Sequence, residues 1–513
     1  MTAMATSTET PSGTETKAKR RFRPYQIALV VGGGFAALTA ASYVAEQLWA
    51  EHWAETAYEE QPISRLMFAN IPGWLRLAFY VMVVAAILYG AFNFSNRVRN
   101  WERGAPDNRR TTPKNFKKRL ENMRSGLYMQ TLLRDPAAGV MHSFIYFAFL
   151  VLLAITTIGE INLQLPVALK FLHGDVYRAY AFIADLAGVF FVVGLVWAIV
   201  RRYVQKPYRI RIKTKADHAI GLGVLLAIGV TGFIAEGFRI ALEGMPEADN
   251  WAFIGWPMAK AMENMGGLEW WHRSFWIVHI LTFVAFLIVL PTTMLRHMFT
   301  SPMNMYLKDR DRPKGAMKAM PNLMETELET FGASVVEDFT WKQLLDTDAC
   351  TMCGRCTSVC PASGTGKPLD PREIVLKTGE VMAATGDPQV SPPIALDGEI
   401  TIGANSLFER ITPEEVWACT SCKACDEICP VNIEILDKIL DMRRYLTLME
   451  SDFPTELGNA FRGMENSGNP WGMSQTERAD WAKDLDGIEI IDGSDPMTAE
   501  YLYWVGCAGS FDD

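Results

Sequence analysis

Residues 350–361, CTMCGRCTSVCP, and residues 419–430, CTSCKACDEICP, repeat one cysteine pattern in a chain of 513 residues. In each run two residues separate neighbouring members of a cysteine triplet, and a fourth cysteine follows after three further residues, directly before a proline. Three thiolates at this spacing wrap one corner of a cubane cluster, while the fourth cysteine reaches the other cluster. The pattern therefore predicts two [4Fe–4S] clusters with crossed ligation.

Crossed ligation gives each predicted cluster three cysteines from one run and one from the other. The first cluster takes Cys350, Cys353, Cys356 and Cys429, and the second takes Cys419, Cys422, Cys425 and Cys360. Zinc is the competing interpretation. Structural zinc sites use pairs of ligands rather than triplets followed by Cys-Pro, so iron–sulfur chemistry is favoured.

The spacer between the two runs, residues 361–418, is too long for a compact bacterial ferredoxin. Helix-like stretches flank the cysteines, among them PREIVLKTGEVMAA at 371–384 and NIEILDKILDMRRYL at 432–446. We therefore expect an α-helical two-cluster domain over residues 341–450.

The chain before residue 300 carries six apolar segments, most of them about 20 residues long, which is the length that an α-helix needs to span the hydrocarbon core of a bilayer. They lie near 27–45, 77–94, 139–159, 180–200, 219–241 and 274–295. The predicted fold class is all-α, with a six-helix transmembrane bundle at 25–300. A polar tail at 1–24 precedes the bundle, and a Met-rich linker at 301–340 connects it to the cluster domain.

Two connections between the apolar segments are rich in positive charge. Residues 97–134 carry eleven Lys and Arg, and residues 201–215 carry seven, whereas the other connections are acidic or neutral. Basic loops stay on the cytoplasmic side, so both termini and the cluster domain are expected on the inner side of a bacterial cytoplasmic membrane. Alternatively, the first segment is a cleavable signal peptide, whose removal would leave the other five helices in the same orientation.

The composition argues against some classes of partner and compartment. The net charge is −9, and no basic stripe with interleaved aromatic residues is present, so a nucleic-acid partner is not expected. All nine cysteines lie in the part predicted to be cytoplasmic, eight of them in the two runs and the ninth at Cys507. A secreted disulfide protein would spread its cysteines over exported segments, so a reducing compartment is expected.

Four histidines lie within or at the ends of apolar segments: His142, His218, His279 and His297. An ionisable side chain in a bilayer is costly and usually functional, so all four are candidate cofactor-binding residues. The alternative for each is a neutral histidine that is hydrogen-bonded to a backbone carbonyl. His279 and His297 are 18 residues apart, and on one continuous helix they would face the same side at a separation of about 27 Å.

The segment HILTFVAFLIVLPTTMLRH, residues 279–297, is similar to the last helix of the respiratory nitrate reductase gamma subunit family, and GVMHSFIYFAFL, residues 139–150, matches its partner helix. That family binds two b haems through paired histidines. The resemblance implies a cytochrome-b-like bundle in which His142 and His297 hold an inner haem b.

The outer haem of that family lacks a second ligand in this sequence, because residues 143–160 contain no histidine. His218 lies at the inner end of its segment and is in the wrong place to supply one. His279 therefore either has an unusual partner or takes part in quinone chemistry. In the second case Asp185, which has nearly the same depth in the membrane, is the group expected to exchange protons with it.

Residues 360–375, CPASGTGKPLDPREIV, and residues 411–446, ITPEEVWACTSCKACDEICPVNIEILDKILDMRRYL, resemble the iron–sulfur segment of the heterodisulfide-reductase-like family. Its fused membrane members include the electron-transfer flavoprotein:menaquinone oxidoreductases. The stretch YLYWVGCAGSFDD at 501–513 resembles the opening of that family's cysteine-rich CCG domain, in which Cys507 would be the first ligand of a non-cubane [4Fe–4S] centre. The other cysteines of that domain are absent. Residues 451–513 are thus expected to be a linker and a truncated start of the CCG domain. The non-cubane centre is expected only in a longer form of the protein.

These resemblances imply a membrane-bound respiratory oxidoreductase whose cysteines and histidines hold cofactors and whose redox chemistry belongs to the metals. Electrons would pass from a cytoplasmic donor, by resemblance reduced electron-transfer flavoprotein, through both clusters and haem b to a quinone, by resemblance menaquinone. One alternative is a related enzyme with another donor, either a dithiol/heterodisulfide couple or a hydroxy-acid dehydrogenase subunit. The other is a non-catalytic electron-relay or anchor subunit of such a complex.

Overall fold

A computed structural model describes residues 23–512, apart from 61–67, 69, 108, 110, 166–168, 310–311, 314, 387–404 and 492–499. The predicted tail at 1–24 lies almost entirely outside the described residues. Within the described ranges the chain forms helices and turns, and its β structure is limited to one isolated bridge between Ala105 and Thr340. The predicted all-α fold class is confirmed.

The first half of the chain is built from long apolar helices. Its helices are α1 (Pro24–Glu60), α2 (Gly73–Trp101), α3 (Phe116–Leu127), α4 (Pro136–Gln164), α5 (Gly174–Ile199), α6 (Tyr208–Arg211), α7 (Ala216–Leu242), α8 (Gly255–Met262), α9 (Leu268–Val289) and α10 (His297–Tyr306). Among the described residues six of these are long and apolar enough to cross a membrane: α1 as far as Leu48, α2, α4, α5 with a π-helical extension to Gln205, α7 and α9. Each overlaps one predicted apolar segment, which confirms a multi-pass membrane protein.

The last membrane helix differs from its prediction. The apolar segment at 274–295 is not one helix, because α9 begins earlier, at Leu268, and ends at Val289. Pro291 has no backbone N–H and clashes with the preceding turn of a helix, so the chain leaves the helix there. It passes through a 3₁₀ turn at Met294–Arg296 before α10 begins at His297. The expectation that His279 and His297 share one continuous helix is therefore wrong.

The second half is a cluster of shorter helices around the two cysteine runs. These helices are α11 (Trp341–Ala349), α12 (Arg355–Val359), α13 (Pro361–Gly364), α14 (Pro371–Ala384), α15 (Pro413–Trp417), α16 (Ala424–Ile428), α17 (Ile435–Leu448), α18 (Leu457–Ser467) and α19 (Cys507–Phe511). Side-chain caps fix several helix starts, as where Thr340 and Gln343 form a capping box on α11. The helix predicted at 371–384 forms there as α14.

One membrane helix enters the core of the cluster domain. The last turns of α2 carry Val98 and Trp101, which are buried in the same apolar core as Phe339 and Leu344. Just beyond α2, the backbone of Ala105 pairs with Phe339 and Trp341 at N–O distances of 2.8 and 3.0 Å. Gly104 permits this approach, since a Cβ at that position would lie 2.6 Å from the Phe339 carbonyl oxygen. The membrane and cluster domains therefore share one packed interface.

The helix α10 forms the second part of this interface. Its buried polar residues donate to the backbone of the cysteine segments: Thr300 Oγ1 to Asp348 O at 3.0 Å and Asn304 Nδ2 to Val431 O at 2.9 Å. The predicted linker at 301–340 thus begins as a helix that is docked against the cluster domain. This docking matters for the site because α10 carries His297 at its first residue.

Candidate electron-transfer site

The two cysteine runs adopt the same backbone geometry. Met352 and Ser421, each directly before the second cysteine of its run, have φ values of 53° and 57°. Gly354 and Lys423, each directly after that cysteine, have φ values of 70° and 61°. Left-handed residues at alternating positions turn successive N–H groups toward one point and form an anion-binding nest.

Backbone amides near the cysteines donate to the sulfur atoms. Ser421 N donates to Cys419 Sγ at 3.4 Å, and Ile433 N donates to Cys429 Sγ at 3.4 Å. Each run then enters a five-residue helix, α12 or α16, and these two helices pack against each other. The repeat in the sequence is therefore a repeat in the structure, which sets the fourth cysteine of each run beside the other run.

The four cysteines predicted for the first cluster line one cavity. Cys350, Cys353 and Cys356 of the first run meet Cys429 of the second run there. The remaining wall is largely apolar and includes Val375, Val431, Ile433 and Ile435, with Arg372 as a cationic member. The structure thus brings together residues that are separated by more than seventy positions in the chain, in the combination that crossed ligation requires.

The other four cysteines form a second group. Burial raises the pKa of the Cys419 thiol, and the neighbouring thiols of Cys360 and Cys422 raise it further, so all three lie close together. Cys425 lies within the same electrostatic range of Cys419. Cys422 is the exposed member of this group.

The chemistry of these thiols fits an iron–sulfur cluster. Burial raises the pKa of Cys350 and of Cys429 to about 12 in the absence of a metal, whereas the thiolate is the form that binds metals. A bound cation would stabilise these thiols as thiolates. Among the described residues no three His, Cys, Asp or Glu side chains are close enough to hold a single ion. A cubane instead spreads its ligands over four irons.

His142 on α4 and His297 at the start of α10 face each other. Their ring centroids are 6.3 Å apart, with an angle of 60° between the planes. Two metal–nitrogen bonds of about 2 Å, each extended by the roughly 1 Å from nitrogen to ring centre, place the centroids of a coordinating pair roughly 6 Å apart. His297 Nδ1 lies 2.7 Å from Met294 O, an arrangement that orients the ring and leaves Nε2 available to a metal. His142 and His297 would therefore suit a haem, whose iron the two imidazoles would bind.

The other two candidate histidines have different surroundings. His279 Nδ1 lies 3.0 Å from Thr231 Oγ1 on α7, and a Cβ at Gly232 would be 3.4 Å from the ring, so α7 packs directly on this histidine. His218 is buried at the first turn of α7. Its Nδ1 lies 2.8 Å from Asp217 Oδ1, and its Nε2 has no hydrogen-bond partner among the described residues.

Asp185 has a role that its sequence context does not indicate. Its Oδ2 accepts hydrogen bonds from Ile254 N at 2.6 Å and Gly255 N at 3.1 Å. These amides lie at the start of α8. A carboxylate there accepts hydrogen bonds from free N–H groups and interacts favourably with the helix dipole. The structure thus assigns Asp185 to capping, and its exchange of protons with His279 stays a prediction.

Two residues that the cysteine spacing does not point to link the first cysteine group to the histidine pair. Arg355, directly before Cys356, donates to the carbonyl oxygens of Thr131 and Leu132 at 2.7 Å each, just ahead of α4. Asp348, two residues before Cys350, forms ion pairs with Arg97 and Arg296. The spacing of residues along the chain does not predict either contact, since the partners are 52 to 251 positions apart.

The charge of Asp348 is stabilised from the membrane side of the interface. Burial alone would raise its pKa, but Arg97 and Arg296 hold the pKa below its usual range. Trp101 Nε1 adds a hydrogen bond of 2.8 Å. The buried carboxylate is therefore ionised and fixes the segment before Cys350 relative to the segment before His297.

Comparisons with known proteins agree with this assembly. A family model of 4Fe-4S dicluster domains matches residues 349–434, and a model of the nitrate reductase gamma subunit matches residues 163–312. The chain is 31% identical to the EtfAB:quinone oxidoreductase of Syntrophomonas wolfei over 478 residues, which cover 88% of this chain and 65% of the relative. No solved structure matches.

Two further relatives extend the comparison. The "Probable iron-sulfur-binding oxidoreductase FadF" of Bacillus subtilis is 31% identical over 437 residues, covering 78% of this chain and 60% of the relative. One of the subunits of the dihydromethanophenazine:CoB–CoM heterodisulfide reductase of Methanosarcina barkeri is 26% identical over 185 residues, covering 34% of this chain and 40% of the relative. The chain thus spans less than two thirds of the first two relatives, and the predicted resemblance to both families is confirmed.

Proposed function

We propose that this chain, a relative of membrane iron–sulfur oxidoreductases, passes electrons from a cytoplasmic donor through two [4Fe–4S] clusters and haem b to a quinone. The similarity to an EtfAB:quinone oxidoreductase supports reduced electron-transfer flavoprotein as the donor. Menaquinone is the proposed acceptor. Both are proposals about the whole protein, since this chain covers only 65% and 60% of the first two relatives.

The observation that carries the proposal is the short physical connection between the first cysteine group and the histidine pair. Arg355 donates to the carbonyl oxygens of Thr131 and Leu132, just ahead of the helix α4 that carries His142, while its neighbour Cys356 lines the cluster cavity. The ion pair of Asp348 with Arg296 ties the same cysteine group to His297. Donor sets for two redox groups are thereby held side by side at the membrane interface, as electron transfer requires.

The geometry supports the following ligands. Cys350, Cys353, Cys356 and Cys429 hold the cluster next to the histidine pair, and Cys360, Cys419, Cys422 and Cys425 hold the other. Exposure of Cys422 supports entry of electrons at the second group. His142 and His297 hold haem b, while His279, His218 and Cys507 have no ligand role in this proposal.

The proposed location is the bacterial cytoplasmic membrane, with both termini inside. The basic loops support this orientation. Because the cluster domain packs on the ends of α2 and α10, it lies on the same side as the loop after α2, which is the most basic connection of the chain. The proposed domain limits are 25–300 for the membrane part and 341–450 for the cluster part.

A second candidate function is an electron-relay subunit whose partner carries the substrate site. The match to one subunit of a heterodisulfide reductase, which is confined to about a third of this chain, favours it. On this hypothesis the purified chain binds its cofactors and shows no turnover until a partner is added.

The test is an anaerobic reduction of the purified protein. Reduced electron-transfer flavoprotein is added first, and haem absorption is followed in the visible range. A menaquinone analogue is then added to ask whether the haem is reoxidised. Reduction of the haem by the flavoprotein, followed by its reoxidation, supports the proposal. A haem that dithionite reduces and the flavoprotein does not reduce supports the relay subunit. A purified protein without haem absorption contradicts the haem assignment.

A further inference from the structure

A cavity of ≈ 460 Å³ lies between α3, the segment after α10 and the cluster domain, away from the cysteines and histidines. Its lining carries six cationic side chains: Arg109, Lys118, Arg119, Lys308, Arg312 and Lys318. Three carboxylates, those of Asp107, Asp309 and Asp437, also line it. Cations therefore outnumber acids two to one on the walls, and two further acids outside the lining, Glu434 and Asp441, pair with Arg109 and Lys318.

The lining carboxylates are engaged by two of the arginines. Arg312 lies 2.6 Å from Asp437 and 3.4 Å from Asp309, and Arg109 lies 3.2 Å from Asp107. These contacts hold Asp309 and Asp437 on the side of the cavity formed by the linker and the cluster domain, and Asp107 in the connection that precedes α3. Each of the three acids thus has an arginine partner outside α3.

Arg119 on α3 is the unusual member of the lining. It is only 8% exposed, and its Nη1 reaches the carbonyl oxygens of Tyr306 and Lys308 at 3.5 Å, which is longer than a normal hydrogen bond. No carboxylate among the described residues forms an ion pair with it. A buried guanidinium without an acid is strongly unfavourable, so an anion is the partner that this position lacks.

Asn122, one turn further along α3, offers the complementary group. It is 2% exposed, and its Nδ2 donates to Lys308 O at 3.0 Å. Its Oδ1 is buried and has no hydrogen-bond partner among the described residues. A buried acceptor is normally satisfied, so a ligand here is expected to supply a donor as well as a negative charge.

We propose that this cavity binds a phosphate ester that carries a hydroxyl or ammonium group beside the phosphate. Arg119 and Lys118 contact the phosphate oxygens, for which a guanidinium is well matched. Asn122 Oδ1 accepts from the neighbouring hydroxyl or ammonium group. The proposal concerns a site separate from the redox cofactors and does not rest on the proposed electron transfer.

The opposite face of α3 favours a lipid as the source of the phosphate. Phe116, Leu120 and Leu127 are 50%, 47% and 43% exposed, and their spacing of four and seven residues places them on one side of the helix. A helix with an apolar stripe and a cationic face lies in the membrane interface. Basic pockets beside cytoplasmic helix ends bind anionic lipid headgroups.

The test uses the full chain, delipidated in detergent, and follows thermal unfolding by tryptophan fluorescence. Short-chain phosphatidylglycerol, phosphatidylcholine of the same chain length and inorganic phosphate are titrated separately. Lys118→Gln is compared with Lys117→Gln, because both residues are exposed on α3 and only Lys118 lines the cavity. We expect Lys118→Gln to weaken phosphatidylglycerol binding about fivefold, the ratio for about 1 kcal/mol per lysine at an anionic headgroup. Lys117→Gln leaves binding unchanged.

The arms of the titration separate the sources of phosphate. Stabilisation by phosphatidylglycerol but not by inorganic phosphate identifies a lipid headgroup, and equal stabilisation by both identifies a soluble phosphate compound; either result supports the site if Lys118→Gln weakens it. Stabilisation that is the same in both variants, or that phosphatidylcholine reproduces, overturns the proposal. Arg119→Lys, which keeps the charge and loses the planar fork, is expected to bind more weakly than the wild type while still responding to phosphatidylglycerol.

Discussion

The carboxylate of Asp348 lies 3.0 Å from the guanidinium Nε of Arg296, and this ion pair joins the segment before Cys350 to the residue before His297. Both side chains are nearly inaccessible to solvent, at 4% and 9% exposure. Arg97 shares the same carboxylate at 2.9 Å. One buried acid thus offsets two buried guanidinium groups where the membrane and cluster domains meet.

Replacing Asp348 by Asn is expected to destabilise this interface. The amide still fills the space, but two buried cations lose their counter-charge, and breaking a buried pair in this way costs about 3–5 kcal/mol. We expect a clearly lower thermal unfolding midpoint and slower reduction of haem through the clusters. Both quantities are measured on the same membrane preparation, with stopped-flow absorption for the rate.

The matched control for Asp348→Asn is Asp175→Asn. Asp175 also pairs with an arginine, Arg178 at 3.0 Å, but its side chain is 89% exposed. Exposed pairs of this kind contribute little, so the control should keep the wild-type midpoint and rate. Equal effects of the two substitutions would show that the buried pair has no special role.

The histidine pair gives a prediction about haem content. His142→Ala and His297→Ala are each expected to abolish the haem b absorption, because each removes one of two facing rings. His279→Ala is expected to retain it, since α7 packs on that ring and Thr231 occupies its Nδ1. Pyridine haemochrome assays on the purified variants measure the haem per protein. Loss of half of the haem in His279→Ala would reveal a second haem and refute the single-haem assignment.

Short sequence patterns predict the parts of this structure that depend on residues close together in the chain. Helix length is set by bilayer thickness, so the six membrane helices could be predicted from their apolar segments. The cysteine spacing is likewise set by the shape of a cubane, and the structure groups Cys429 with the first run as that spacing requires. The break in the last membrane helix also has a local signal, Pro291, because proline cannot continue a helix without loss of a hydrogen bond and a steric clash.

Contacts between distant residues could not be predicted in the same way. Asp348 reaches Arg97 across 251 positions, and Asp185 caps a helix 70 positions away. Nothing in either local sequence distinguishes these acids from solvated ones. Only the packing of α2, α5, α8 and α10 brings the partners together, so the capping role of Asp185 has no signal in its local sequence.

The pair of Arg109 and Glu434 gives a prediction about pH. Arg109 donates two hydrogen bonds of 2.7 Å to the carboxylate. Burial alone would raise the pKa of Glu434, but Lys342 and Arg109 lower it far below its usual range. A group whose folded pKa is lowered contributes stability above its unfolded pKa and loses it as the pH falls toward the folded pKa.

Glu434→Gln is therefore expected to lower the unfolding midpoint by an amount that is constant from neutral pH down to about 5. The difference between wild type and variant should shrink below about pH 4.3, the ordinary glutamate value. Glu414→Gln, in the exposed first turn of α15, is the control and should show no such trend. A difference that changes near neutral pH would mean that another group titrates at this interface.

The crossed ligation of the two clusters can be tested by counting iron in double variants. If Cys350 and Cys429 bind the same cluster, Cys350→Ser with Cys429→Ser removes one cluster and leaves about half of the iron and sulfide. Cys350→Ser with Cys360→Ser stays within the first run but damages both clusters, so most of the iron should be lost. Ligation within each run reverses this order, because Cys350 and Cys360 would then share a cluster and Cys429 would belong to the other. The cavity that joins Cys429 to the first run predicts the first outcome, and iron and acid-labile sulfide assays on anaerobically purified variants decide between them.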